Sequence, residues 1–329
     1  MNKSKYSILN FVFLILASVS LSGCSVYDDT MDCDPSYKVR FIYDWNMSGG
    51  DGFPAQVKSI SLWVFDHSTG DLVKKYTDSG EALASGSYLM DLKDLKPGVY
   101  DFIAWGGLEG NSSFKIADDI VKASDLQCSL VTKDQNGKIV SDTLLSPLFY
   151  GSLYNQTLED VRGESVVYKV YLMKDTNNIN LSLQHMSEEV LDARDFTIYL
   201  IDNNARLDYD NSPFPDPMVY YYPWHTSSGS LGMTGDDLNY VQAEISTCRL
   251  MADRNPIITI IDNNSGATVY SIPIVQWAKE LRSQLNMDME DQEYLDREHE
   301  YTIMLHLLDE EGGWKAASIV INGYEIQNK

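Results

Sequence analysis

The sequence predicts an all-β protein of two tandem β-sandwiches, the second carrying one or two short helices. Three observations lead there. Short segments rich in Val, Ile, Tyr and Phe alternate with polar residues along most of the chain, the period-two pattern of half-buried strands. Gly, Asn and Pro turns separate these segments, and strands at that density build sandwiches rather than βαβ units. One polar break, Lys174-Asp175-Thr176-Asn177-Asn178, divides the strands into two runs. The body is therefore read as two units, 33–174 and 175–329, each of a usual domain size.

The chain opens on an export signal. Lys3 and Lys5 precede an apolar stretch over 8–21. That stretch is too short for a spanning helix, which needs about 20 residues, and fits a secretory leader. Leu21-Ser22-Gly23-Cys24 follows and resembles the lipobox of bacterial lipoproteins. The resemblance implies that leader 1–23 is cleaved after Gly23 and that Cys24 becomes an N-palmitoyl, S-diacylglycerol cysteine. A thiol is the nucleophile this chemistry needs, and small residues before it let a peptidase reach the backbone. Several acyl chains hold a protein stably on a bilayer, at about 0.8 kcal/mol per buried methylene, so the protein is expected to be anchored to membrane lipid without spanning it. Residues 24–32 form the tether. Its Ser25-Val26-Tyr27-Asp28-Asp29 resembles the surface-export signals of Bacteroidetes lipoproteins, the alternative being a plain solvated tether.

In the first unit, Tyr37, Val39, Phe41, Tyr43 and Trp45 alternate with Lys38, Arg40, Ile42 and Asp44, which predicts a strand over 37–45. A second strand covers 59–65, turns at His67-Ser68-Thr69-Gly70 and returns through Leu72 and Val73. Lys96-Pro97-Gly98 is a turn, since Pro presets φ and Gly accepts a positive one. An apolar strand over 99–105 then stops at Gly106-Gly107, Asn136-Gly137 marks a hairpin, and 166–173 alternates again. In the second unit, strand patterns lie at 179–183, 196–201, 257–261, 268–272, 301–307 and 318–321. Turns at Asn203-Asn204, Asn263-Asn264-Ser265-Gly266 and Gly312-Gly313 separate them. Residues 211–224, rich in Pro and Tyr, read as an irregular loop. Val275, Ala278, Leu281, Arg282 and Leu285 fall at helical spacing and predict a helix over 275–285. A second helical turn is expected over 292–297, with Glu293 and Arg297 paired at i,i+4.

Composition narrows the function. With 48 acidic and 25 basic residues the 329-residue chain carries a net charge of −23. Such a surface repels phosphate and gains nothing from counterion release, so no nucleic-acid partner is expected, nor docking on an anionic membrane through a basic patch. The sequence has no nucleophile-elbow, zinc-peptidase or phosphate-loop motif. The adjacent carboxylates Asp118-Asp119, Glu188-Glu189, Asp236-Asp237 and Glu310-Glu311 point to opposite faces of a strand. The five histidines are scattered. No enzyme activity, metal or cofactor is expected. Asp208, Asp210 and Asn211 supply oxygen ligands of the kind that bind Ca²⁺, but a solvated turn is the preferred reading. Of the four cysteines, Cys33, Cys128 and Cys248 remain after lipidation. Export permits disulfides, and Cys33 with Cys128, both in the first half, is the favoured pair. Tyr220-Tyr221-Tyr222 with Trp224 form a candidate contact patch for sugar or protein, the alternative being loop packing against a sandwich.

Several segments, taken in order, resemble the FimB/Mfa-type fimbrial subunits of the Bacteroidetes fimbrillin superfamily. They are Cys33-Asp34 leading into the strand 39–45, the run 53–66 from Phe53-Pro54 to Phe65-Asp66, and Pro97-Gly98-Val99-Tyr100 continuing to Ala104-Trp105-Gly106-Gly107-Leu108. The boundary run 172–179, the segment 292–298, Trp314 and the stretch 319–324 complete the set. The resemblance implies two transthyretin-like sandwiches in an outer-membrane lipoprotein that faces outward at the base of a fimbrium. It implies fimbrial shaft subunits and outer-membrane lipid as partners, and no catalysis. A surface adhesin or fimbrial tip subunit that binds host glycan or protein is the alternative. Shaft subunits of the superfamily are trimmed at a basic residue, which opens a groove for a neighbour's strand. Here Arg40 lies inside a predicted strand and the next arginine is Arg162, leaving Lys58, Lys74 and Lys75. The expectation is an untrimmed anchor that meets the first shaft subunit through its sheet edges or C-terminal strand. Cys248 departs from the pattern, where a small residue is expected.

Overall fold

The computed structural model describes residues 35–110, 112–161, 163–186, 190–214, 218–232, 237–310 and 313–326. The leader, Cys24, the tether and Cys33 lie outside them. The first half forms β1 (Ser36–Trp45), α1 (Phe53–Gln56), β2 (Ser59–Asp66), β3 (Leu72–Ser79), β4 (Met90–Asp91), β5 (Gly98–Gly106) and β6 (Phe114–Ile116). It continues with β7 (Cys128–Leu130), β8 (Lys133–Gln135), β9 (Lys138–Ser141), β10 (Phe149–Leu158) and β11 (Ser165–Lys174). The second half forms β12 (Thr176–Met186), β13 (Phe196–Asp202), β14 (Arg206–Leu207), β15 (Val219–Tyr221), β16 (His225–Gly232) and β17 (Asp237–Cys248). It ends with β18 (Ile257–Asp262), β19 (Thr268–Pro273), α2 (Ile274–Gln284), α3 (Asp291–Arg297), β20 (Glu300–Glu310), β21 (Gly313–Ile321) and β22 (Tyr324–Glu325). The architecture is all-β, as the alternation predicts.

Seven strands of the first half make one sheet in the order β3-β2-β5-β10-β11-β1-β4. Its two ends fold face to face. The hinge is the short β10–β11 junction, which pairs only Phe149 with Lys174 and Tyr150 with Met173. β1 runs parallel to β11 from Ser36 opposite Ser165 to Ile42 opposite Tyr171. Its inward side chains Tyr37, Val39, Phe41 and Tyr43 share a core with Ile60, Leu62, Phe102 and Leu172. β2 and β5 are buried on both faces, which explains their continuous apolar runs. Their other face, Trp63, Phe65, Ile103 and Trp105, belongs to a second core that it shares with the second half.

Two further sheets face each other in the second half, β16-β17-β12-β20-β21-β22 and β19-β18-β13-β15-β9-β8. β12 pairs antiparallel with β17 and parallel with β20. The second of these sheets borrows from the first half. β9 lies parallel to β15, with Ile139 opposite Val219 and Ser141 opposite Tyr221, and β8 pairs with β9 around the expected Asn136-Gly137 turn. A small sheet, β14-β7-β6, joins the halves again through Leu207 opposite Cys128. The segment expected to be an irregular loop over 211–224 thus contains β15, whose three residues are too few to show a period. α2 buries Ile274, Val275, Trp277, Ala278 and Leu281, the face its spacing predicts. α3 carries the expected pair, Arg297 Nε donating to Glu293 Oε1 at 2.8 Å.

Candidate interaction surface

Strand alternation divides the tyrosine run. Tyr221 turns inward, is fully buried, and donates its hydroxyl to Asn204 Oδ1 at 2.6 Å. It is therefore not a contact residue. Tyr220 and Tyr222 turn outward, with ring centroids 6.5 Å apart and planes within 16°. Tyr199, on the neighbouring β13, closes the group at 5.7 Å from each ring. Lys138 Nζ lies 4.6 Å from the centre of the Tyr220 ring, a cation–π contact. Trp224 is not part of this cluster. Past Pro223 the chain crosses to the opposing sheet, where the Trp224 N–H donates to Glu244 O at 2.9 Å and its ring tilts against His225. Tyr199 escapes a sequence reading because its membership depends on the pairing of β13 with β15. The available signal is its outward position between Ile198 and Leu200, both buried.

Beside the tyrosines the same sheet carries a depression of about 530 Å³ lined by Ile201, Met218, Ile257 and Arg254. Rings that offer a face and a hydroxyl, next to apolar side chains, suit stacking against sugars or peptide. Asp202 at this rim is mostly buried. Burial pushes its carboxyl up to about 6, against the Asn203 N–H and Arg254, which favour the anion.

Asp208, Asp210 and Asn211, read as a turn, each have a hydrogen-bond partner. Asp210 Oδ1 accepts from the Ser212 N–H at 2.9 Å and Asp208 Oδ1 from the Tyr209 N–H at 2.8 Å. Asn211 is buried and donates to Asp175 Oδ1 at 2.9 Å. Among the described residues no three His, Cys, Asp or Glu side chains gather as a metal site. Of the expected Cys33–Cys128 pair only Cys128 is placed, as a buried free thiol. Cys248 is also a buried free thiol. Its burial pushes it up to about 12, although a hydrogen bond with Tyr221 works the other way.

A polar cluster lies where the halves meet, and within it Asn211 Nδ2 donates to Met173 Sδ at 3.0 Å. Arg249 donates from Nε and Nη2 to the two oxygens of Asp296 at 2.7 and 2.8 Å, and from Nη1 to Asn211 O at 2.9 Å. Asp175 Oδ1 lies 4.0 Å from Arg249 Nε. Arg297 on α3 sits 4.0 Å from the Trp45 ring centre and donates to Asp44 O at 3.2 Å, so the helix of the second half grips the end of β1.

A profile of the fimbrillin-A associated anchor proteins Mfa1 and Mfa2 matches residues 29–329. Among solved structures, a candidate adhesin of Bacteroides thetaiotaomicron is similar with a TM-score of 0.78 at 32% identity, covering 90% of this chain and 99% of its own. A candidate polysaccharide-binding protein of the same organism is similar with a TM-score of 0.74 at 28% identity, covering 90% and 98%. The fimbrial anchor protein Mfa2 of Porphyromonas gingivalis shares the fold, with a TM-score of 0.67 at 17% identity over 90% of this chain and 100% of its own. No curated protein matches the sequence. With a profile that runs along nearly the whole described fold, the chain belongs to the family of fimbrillin-A associated anchor proteins Mfa1 and Mfa2.

Proposed function

We propose that this protein is a non-catalytic outer-membrane lipoprotein that anchors or nucleates a fimbrium, held by acyl chains on Cys24 and facing outward. The observation that carries the reading is the family match beginning at residue 29, a few residues after the lipobox-like Leu21-Ser22-Gly23-Cys24. The fold supports an untrimmed chain. Arg40 is held inside β1 opposite Lys169, so cleavage there would cut β1 in mid-strand. Lys58 is exposed between α1 and β2, but a cut at that point would separate β1 and the lipid from everything that follows. Cys24→Ala is expected to move the protein out of the membrane fraction and to leave fimbriae shed or misassembled. Normal attachment and length in that variant, or an unmodified Cys24 sulfur by mass spectrometry of protein from native cells, would overturn the reading.

The cluster of Tyr199, Tyr220 and Tyr222 favours a second reading, a tip or surface adhesin that takes glycan or protein on that face. The similarity to the candidate polysaccharide-binding protein supports it. Immunogold labelling at the base of the fimbrium supports the anchor; labelling at the tip, with glycan-array binding lost in Tyr220→Ala, supports the adhesin.

A further inference from the structure

β16 is an outer strand of its sheet. It pairs with β17 along its whole length, from His225 opposite Glu244 to Gly232 opposite Asp237, with no shift of register. Its sequence, His-Thr-Ser-Ser-Gly-Ser-Leu-Gly, contains no Lys, Arg, Asp, Glu or Pro. An outer strand presents a row of peptide N–H and C=O groups, and proteins usually blunt such rows with charge, proline, bulges, shortness or a cover.

The other outer strands are blunted in these ways. β3 carries Lys74 and Lys75. Its Leu72 N–H donates to Val121 O, and Lys74 and Tyr76 reach across to Lys93 O. β19 shifts register against β18 and ends in Pro273. β8 is the short charged run Lys-Asp-Gln. β4, β14 and β22 have two residues each and β6 has three. β16 alone among these is long, regular and uncharged.

The neighbourhood of β16 is open as well. Thr226 and Ser228 lie opposite Ala243 and Val241, on the face those two residues bury, yet both are exposed. From the opposing side the turn ahead of β13 reaches this edge at one point, its Ala193 N–H donating to Ser228 Oγ at 3.1 Å, and Thr226 and Ser228 stay exposed beside it. Trp224 and Leu231, at its two ends, are 37% and 56% exposed. On the outer face Gly229 leaves room for the Tyr240 ring, which would clash with a Cβ there. A bare peptide row with apolar contacts at both ends fits an added extended segment, whose backbone completes the ladder and whose side chains take the open face. β1, the first strand of the described fold, lies in a different sheet.

We propose that β16 is the docking edge for an extended segment of the first fimbrial subunit, which adds to the sheet as its next strand. The proposal rests on the anchor reading. To test it, Thr226 and Ser230 are each replaced singly by photoreactive benzoylphenylalanine in the full-length protein of fimbriated cells. After irradiation, both positions are expected to form adducts with one segment of the shaft subunit, at sites about four residues apart, as paired strands require. Adducts confined to a second copy of this chain or to its own residues 24–34, or no adduct at either position, would overturn it. Thr226→Lys combined with Ser230→Lys, which puts charge on the inner face of the edge, is expected to lower cell-attached fimbriae at least tenfold while the protein stays in the membrane fraction at its usual level. Unchanged attachment in that variant also overturns the proposal. If Cys24→Ala leaves fimbriae attached, the anchor reading fails by itself, and the adducts still decide whether the edge is a docking site.

Discussion

Asp175 stands in the polar break that the sequence presents as a boundary, yet it is fully buried, and Thr176 and Asn177 are buried beside it. The run is polar because it is a joint. Asn177 Nδ2 donates to Cys248 O at 3.1 Å, and Asp175 takes the Asn211 amide. Arg249 already has Asp296 as a bidentate partner, so a second ionised carboxylate leaves the cluster with excess negative charge in a place that water does not reach. Burial accordingly pushes the Asp175 carboxyl up to about 7, against the pull of Arg249 and the Asn211 hydrogen bond. The folded value lies above the ordinary 3.8, so the protonated form favours the fold. That contribution is present in full below about pH 4 and is lost as pH rises through 7. Asp202, pushed to about 6, acts with the same sign. His299 acts in the opposite direction. Burial and then Lys174 lower it to about 3, so its contribution is present above pH 6.5 and is lost as pH falls toward 3. Asp175→Asn keeps an oxygen for the Asn211 amide and removes the charge. It is expected to raise stability by about 1–3 kcal/mol at pH 8 and to change little at pH 4. Urea midpoints of the two proteins at pH 4, 6 and 8 check this, and a gain of equal size at all three would exclude Asp175 as the titrating group.

At the scale of elements, β5 shows how one residue stops a strand. Gly107 has a φ of +86°, and a Cβ there would run into the Pro147 carbonyl oxygen. A side chain at this position would push back the segment that leads into β10. Gly107→Ala is expected to cost about 3 kcal/mol from strain and steric clash together, read as a lower denaturant midpoint with an unchanged slope. That stop was legible in the sequence, as were β1, β11, β13, β18 and α2, because each has a buried face that repeats at its own period. Three features were not legible. The continuous apolar runs of β2 and β5 announce burial on both faces but do not name what covers them. β15 is too short to carry a period. The pairings β1–β11, β12–β20 and β9–β15 join residues far apart in sequence, and local alternation fixes which side of a strand is buried without fixing its neighbour. The contact patch suffered for the same reason. Tyr220 and Tyr222 were legible as an aromatic run, whereas the burial of Tyr221 and the arrival of Tyr199 follow from register. Cys24 lies outside the described residues, and its proposed lipidation rests on the contiguous lipobox-like residues alone.

At the scale of the whole molecule, the first half supplies parts that the second cannot replace. β9 covers the edge of β15, β7 pairs with β14, and Trp63, Phe65, Ile103 and Trp105 fill the same core as Leu181, Leu200 and Ile260. A fragment of residues 175–329 would expose Leu207, Val219 and Tyr221, which are buried in the full chain, and would leave Arg297 without the Trp45 ring. Burying one large apolar side chain is worth about 1.5–3 kcal/mol, so losing several is comparable with the margin of about 5–15 kcal/mol by which a domain is stable. The full chain without its leader is therefore expected to melt in one transition, with equal calorimetric and van't Hoff enthalpies, and fragment 175–329 to show no cooperative transition of its own. A soluble fragment with a sharp melting transition would refute this coupling. The coupling bears on anchoring. If lipid holds the chain ahead of β1 and a filament pulls on the second half, two sandwiches joined only by a linker would pass the load through that linker alone. Here separation must break the β9–β15 and β7–β14 ladders together with the Arg297 contacts to Trp45 and Asp44, so the load is shared across a packed core.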